Sequence, residues 1–359
     1  MDGARFCRSC GQPLPASNPQ AAWSDAGSVQ QPYGNAAGTP KKGIRAFHVV
    51  AALLAIAAAF LVAAVAVSVI TGSGPLDILP AGSPGGGAAA SGSAASDSQD
   101  IQVSPQKDVD SYSWDELKQI SKMISEAPSD EEGLKIAEQY HLCTSDGKLD
   151  GTQMKYLALT DGTWTAVQVA GFRHDDKSDG SGKAGITFIF RDGIAEQPMN
   201  ASNTSSGGWQ ASQMRSWLAS SGMDLMPDDL RKDIISVKKL TNNTGETTDL
   251  SAVTTTDDQL WLFSNIELGG NLLGWEDCKQ LMQAEGSPYQ LFSEAKESSG
   301  SDYQKIRTKN YQSNNYIIWW ERSPCPEYEA HFGAVDTIPD PDYCESAYES
   351  HYVVPGFCI

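Results

Sequence analysis

The chain has 359 residues and a formal net charge of −19, from 45 acidic against 26 basic side chains. A surface that acidic repels nucleic acid and anionic lipid headgroups, which excludes both as partners of the main folded part. The length allows two average domains, but nothing in the first 110 residues promises a core.

The head, residues 1–11, reads MDGARFCRSCG. Cys7 and Cys10 with Gly11 form half of a zinc knuckle, in which a tight turn aims two thiolates at one ion. Structural zinc takes four ligands, and no other Cys, and no His before His48, follows in the head. Either two chains share a zinc and form a homodimer, or the site is a weakly binding vestige. Residues 12–43 are rich in Pro, Gly, Ala and Gln and are expected to be a disordered linker.

Residues 46–70 are expected to form one transmembrane helix. From Val49 to Ile70 the only polar side chain is Ser68. A helix of that length spans roughly 30 Å, the thickness of the hydrocarbon layer. Lys41, Lys42 and Arg45 precede it, and residues 71–100 contain no Lys or Arg. That asymmetry predicts a cytoplasmic N-terminus and an external C-terminal part, hence a single-pass protein of the cell membrane. Residues 71–110, rich in Gly, Ala and Ser, read as a flexible tether.

Residues 111–142 read as a helical hairpin. Ser113 and Glu116 form a capping box before Leu117, Ile120 and Ile124, and Ser129 and Glu132 form a second. Residues 143–359 mix strands and helices, an α+β pattern. TWTAVQVAGF and GITFIF alternate, WLFS and YIIWW are continuous apolar runs, and WQASQMRSWLAS places Trp209, Gln213 and Trp217 on one helical face. Pro227 opens a further short helix over DDLRKDII.

Chemistry is harder to find. His174, Asp175, Asp176 and Asp179 crowd one loop before Gly180 and could hold a divalent cation, although the residues around Gly180 do not fit an EF-hand. A solvated turn explains the same loop. GSGKAG at 180–185 lacks the first glycine of a phosphate-binding loop. None of the later histidines lies in a nucleophile motif, and no catalysis is expected. Of the five later cysteines, Cys325 and Cys344 are the best disulfide pair, since Pro324, Pro326, Pro339 and Pro341 mark the stretch between them as a loop; five buried thiols is the alternative.

Several segments, VAGFRHDDKSDGSGKAGITFIFRD, GGWQASQMRSWL, LWLFS, WWERSP and the ending VVPGFCI, together resemble one uncharacterised bacterial domain family over about residues 155–359. The family has no known function and is often carried on Gram-positive proteins with a zinc-ribbon head and a single membrane span. Its usual WWLRSP has become WWERSP here, which places Glu321 where an apolar residue is normal and leaves open whether the buried strand continues past Trp320. The closing pattern is similar to the end of C-type-lectin-like or formylglycine-generating-enzyme-like domains, without the calcium triplets of the first or the close cysteine pair of the second.

These readings lead to a membrane-anchored surface protein whose extracellular α+β domain, which the resemblance implies is C-type-lectin-like in fold, binds an external protein or glycan. The alternatives are an exported metal-dependent enzyme using the His174/Asp175/Asp176 loop, and a scaffold in an envelope complex.

Overall fold

Two main sheets carry the fold of the described residues, which in the computed structural model of the chain are 103–106, 108–270, 274–297, 309–311, 315–338 and 340–359. The first sheet joins β1 (Met154–Ala158), β2 (Trp164–Phe172), β3 (Ile186–Phe190) and β13 (Gly356–Cys358) in that order, antiparallel throughout. The second has the order β11 (Tyr343–Ser346), β10 (His331–Val335), β9 (Trp319–Pro324), β12 (His351–Val353) and β4 (Ala195–Gln197), with β12 parallel to β9. Two hairpins, β5 (Val237–Asn242) with β6 (Val253–Asp258) and β7 (Asn310–Tyr311) with β8 (Asn315–Tyr316), complete the strands.

Seven α-helices connect and cover these strands among the described residues: α1 (Trp114–Glu126), α2 (Asp130–Gln139), α3 (Gly208–Ala211), α4 (Gln213–Trp217), α5 (Asp228–Arg231), α6 (Glu276–Gln283) and α7 (Gln290–Glu297). The start of α1 follows from its sequence. Ser113 accepts from the Glu116 amide, and the Glu116 carboxylate accepts from the Ser113 amide at 2.8 Å. These two bonds satisfy amide donors that a helix start leaves open. Leu117, Ile120 and Ile124 recur on one turn-spaced face and are fully buried. Trp114 packs edge-on to Phe188 of β3, with ring centroids 5.8 Å apart. Where α1 crosses the first sheet, a Cβ on Gly185 would lie 1.9 Å from the backbone oxygen of Ser121, so only glycine allows this approach. Ahead of that helix, Val109 is buried in a short 3-10 turn, Val109–Ser111.

The core is aromatic. Trp209, Trp261, Trp319 and Trp320 are inaccessible to solvent, whereas Trp164 and Trp275 are exposed. β3 is buried at every position, as a strand covered on both faces should be.

Two local expectations are corrected, and one point left open by the sequence is answered. WQASQMRSWLAS does not make one helix: Ser212 turns extended (ψ 144°), ends α3 and caps α4 by accepting from the Arg215 amide at 3.1 Å. A serine that offers its hydroxyl to the backbone competes with helix continuation. The WLFS run is buried but pairs only through a bridge between Trp261 and Gly356. The strand of WWERSP does continue past Trp320, because β9 runs to Pro324 with Glu321 fully buried.

The larger corrections concern class and location. Among the described residues no helix is long and apolar enough to cross a membrane. No group of three or more His, Cys, Asp or Glu among them could hold a metal ion. The expected span at 46–70 and the knuckle residues Cys7 and Cys10 lie outside the described residues. The membrane-anchored, zinc-headed, cell-surface reading, with its zinc-linked homodimer and its extracellular protein or glycan partner, gives way to a mixed α+β fold with several sheets.

Candidate functional site

The acidic loop before Gly180 is not a metal site, because its four candidate ligands face different partners. Asp175 is buried, with its carboxylate 2.7 Å from Lys239 Nζ and accepting from the hydroxyls of Tyr289 (2.7 Å) and Thr187 (2.8 Å). Asp176 pairs with Lys183 at 3.1 Å, and Asp179 accepts from the Ser181 amide at 2.8 Å. His174 Nε2 lies 3.1 Å from the carbonyl oxygen of Ser287. The metal-dependent enzyme expected from this loop is accordingly withdrawn.

What the loop does supply is one end of a buried ionic chain. Lys239 Nζ lies 2.7 Å from both Asp175 and Glu267. Glu267 in turn receives a two-pronged contact from Arg322, the arginine of WWERSP. The rest of that guanidinium donates to Thr241 Oγ1 (2.8 Å) and to the carbonyls of Leu262 (2.9 Å) and Leu240 (3.0 Å). A planar fork of five N–H donors is suited to such a position in a way an ammonium is not. Next to it, Ser323 donates to Glu285, which also accepts from the Asn242 amide at 2.9 Å.

The titration of these groups follows from burial and charge. Burial alone would raise Asp175, but Lys239 and the imidazole of His174 outweigh it and hold the carboxyl well below the usual carboxylate range. Burial also opposes ionisation of Glu267, yet Arg322 and Lys239 keep its pKa lowered. Glu285 has no such excess of positive charge, and burial pushes it up to about 7. Burial and the nearby Asp175 push the Cys358 thiol well above its ordinary value, which makes it a poor nucleophile.

Ser287, His174 and Asp175 line up in the order of a catalytic triad, with Ser287 Oγ 3.3 Å from Nε2 and Asp175 Oδ1 3.6 Å from Nδ1. The geometry does not support that role. A carbonyl oxygen only accepts, so Nε2 must carry the proton that it shares with the Ser287 carbonyl and cannot serve as base for the Ser287 hydroxyl. Tyr289 stacks on the imidazole with ring centroids 3.7 Å apart, and Asp175 is already committed to Lys239, Tyr289 and Thr187.

The open site lies elsewhere. A cleft of about 480 Å³ runs between α1, the 177–185 loop, the segment before β5 and the last residue, Ile359. Lys118 and Lys122, one turn apart on α1, line it with Lys177 from the loop; Ile235 and Ile359 supply apolar wall. Lys118 is tied to the buried Asp233 at 2.6 Å. Lys122 and Lys177 make no ion pair with any described carboxylate. None of these residues stood out in the sequence. The available signal was a pair of lysines at i and i+4, flanking the apolar stripe of a well-capped helix.

The disulfide joins Cys325, just past β9, to Cys344 in β11, while Cys143, Cys278 and Cys358 are buried thiols.

Residues 184–359 match a family model described as Domain of unknown function (DUF6273). No curated protein and no solved structure matches the chain. The resemblance expected from about residue 155 is thus corrected to a similarity that begins at Ala184, and the comparison with lectin-like and formylglycine-generating-enzyme-like folds has no matching structure behind it. The matched segment contains Lys239, Glu267, Glu285, Arg322 and Ser323 but not Asp175, Lys118, Lys122 or Lys177. The cleft therefore forms where the matched segment meets residues that precede it.

Proposed function

We propose that the α+β domain binds a small molecule in the cleft beside α1 and performs no chemistry on it. The observation that carries this reading is the make-up of the cleft. Its volume of about 480 Å³ falls in the range of small-ligand sites, roughly 300–1,000 Å³. Its walls come from four separate stretches of chain, and they offer ammonium groups, hydroxyls, two carboxylates and aliphatic surface. A nucleophile needs a base within reach, and among the described residues no serine of this lining hydrogen-bonds to one of its lysines or aspartates through its hydroxyl. The buried charges that could suggest chemistry are committed to one another.

The test is a ligand-observed NMR screen of small fragments against the full chain and against Ile235→Trp, which narrows the cleft. The reading expects hits that the variant loses, recovered chemically unchanged after long incubation. Hits that bind both proteins equally, or that are converted by the wild type and not by the variant, would refute it.

A further inference from the structure

We infer that the ligand of this cleft is a small organic anion, a carboxylate or a phosphate monoester, on an apolar body; the inference rests on the binding role just proposed. Charge provides the first reason. In a chain of net charge −19, Lys135, Lys148, Lys183 and Lys232 all find a carboxylate. Lys122 and Lys177, like Lys155 and Lys238 elsewhere, have no ion pair among the described residues, but only Lys122 and Lys177 of these four line the same cavity. Lys177 has only the field of the exposed Asp179 to balance it and Lys122 has no ion pair among the described residues, so an anion in the cleft would gain from both ammonium groups.

Neither of the two acids on the cleft forms an ion pair with Lys122 or Lys177, although after the Ser181 hydrogen bonds Lys177 is also close enough to Asp179 to lower its pKa. Asp233 is 2% exposed and its Oδ1 is held by Lys118 at 2.6 Å. The exposed Asp179 turns its carboxylate inward to its own loop, where the Ser181 amide donates to it at 2.8 Å. Lys118 is thus neutralised at one end of the α1 face, which leaves Lys122, one turn further on, and Lys177 to meet a ligand. Asp233 contributes a second feature: its Oδ2 is buried without a hydrogen-bond partner among the described residues. A carboxylate oxygen in that state calls for a donor, so a hydroxyl on the ligand would add affinity at the Lys118 end, away from the anionic head. The apolar body follows from Ile235 and Ile359, whose side chains form wall that neither an inorganic ion nor a sugar would cover well.

Isothermal titration of the full chain with hexanoate, hexyl phosphate, hexanol and hexylamine tests the inference. Hexanoate or hexyl phosphate should bind most tightly, and whichever of the two is preferred identifies the head group. The double variant Lys122→Gln/Lys177→Gln should weaken that binding by about tenfold or more, the expected worth of charge-assisted hydrogen bonds. The same variant should leave hexanol unaffected. Hexanol binding as well as the anions, lost in Ile235→Trp, would overturn the anion and keep the cleft. Tighter binding of hexylamine would overturn the anion as well. No binding of any probe would overturn both the inference and the role of the cleft. Thermal melting of each variant checks that it is folded, and Lys122→Arg/Lys177→Arg, which keeps both charges, should retain anion binding.

Discussion

The buried ionic chain and the cleft use the same side chains in opposite ways. In the buried ionic chain, Lys239 and Arg322 are each matched: Asp175 and Glu267 flank Lys239 at 2.7 Å, and Arg322 spends its whole fork on Glu267, Thr241 and two carbonyls. In the cleft, Lys118 is matched to Asp233 but Lys122 and Lys177 are not. Buried charges persist only when paired, because removal from water costs several kcal/mol per ion. Partly exposed charges carry no such obligation, and their remaining hydrogen-bonding capacity is available to a ligand. Charge saturation therefore separates the structural part of this molecule from its binding surface, and proximity to acidic sequence does not.

Breaking the core should have the largest effect. Arg322→Leu leaves Glu267 buried beside a lost partner and should cost about 3–5 kcal/mol of stability, read from urea unfolding. Arg322→Lys keeps the charge but loses the fork, and should fall between that variant and the wild type.

Glu285 sharpens the same comparison through pH. Its folded pKa of about 7 lies above the ordinary 4.5, so the native state holds this proton more tightly than the unfolded state. The resulting stabilisation is complete below about 4.5 and is lost as pH rises through about 7, on the order of a few kcal/mol. Glu285→Gln can still accept from the Asn242 amide, and it should flatten that fall between pH 5 and 8 in thermal melting. An unchanged slope would show that other groups cause it.

Ser113→Ala, which removes one arm of the α1 capping box, should cost about 1 kcal/mol. The smallest effect belongs to the cleft: Lys122→Gln/Lys177→Gln should stay within about 0.5 kcal/mol of the wild type in urea, because no ion pair is lost. A loss comparable to that of Arg322→Leu would erase the distinction between the two regions.

Much of the secondary structure was legible in the chain. Ser113 with Glu116, the apolar stripe of α1 and the alternating GITFIF that becomes β3 are local signals, and local signals survive folding. The limits of that reading are local too, as at Ser212, where the hydroxyl prefers a cap to a helix interior. The site was less legible because its contacts are distant in sequence. Asp175 looked like a metal ligand in an exposed acidic loop, yet its partners Lys239 and Tyr289 lie 64 and 114 residues away. Glu321 looked out of place in a buried strand and is buried all the same. Lys122 and Lys177 are unremarkable in sequence, and only the packing of α1 against the 177–185 loop places them in one cleft.

The most direct measurement is a side-chain NMR titration of the full chain, labelled at lysine Cε, with hexanoate. The Lys122 and Lys177 signals should shift together in a saturable way while Lys239, locked between Asp175 and Glu267, stays fixed. A saturable shift of Lys239 with Lys122 and Lys177 unmoved would place the ligand in the ionic core and contradict the account.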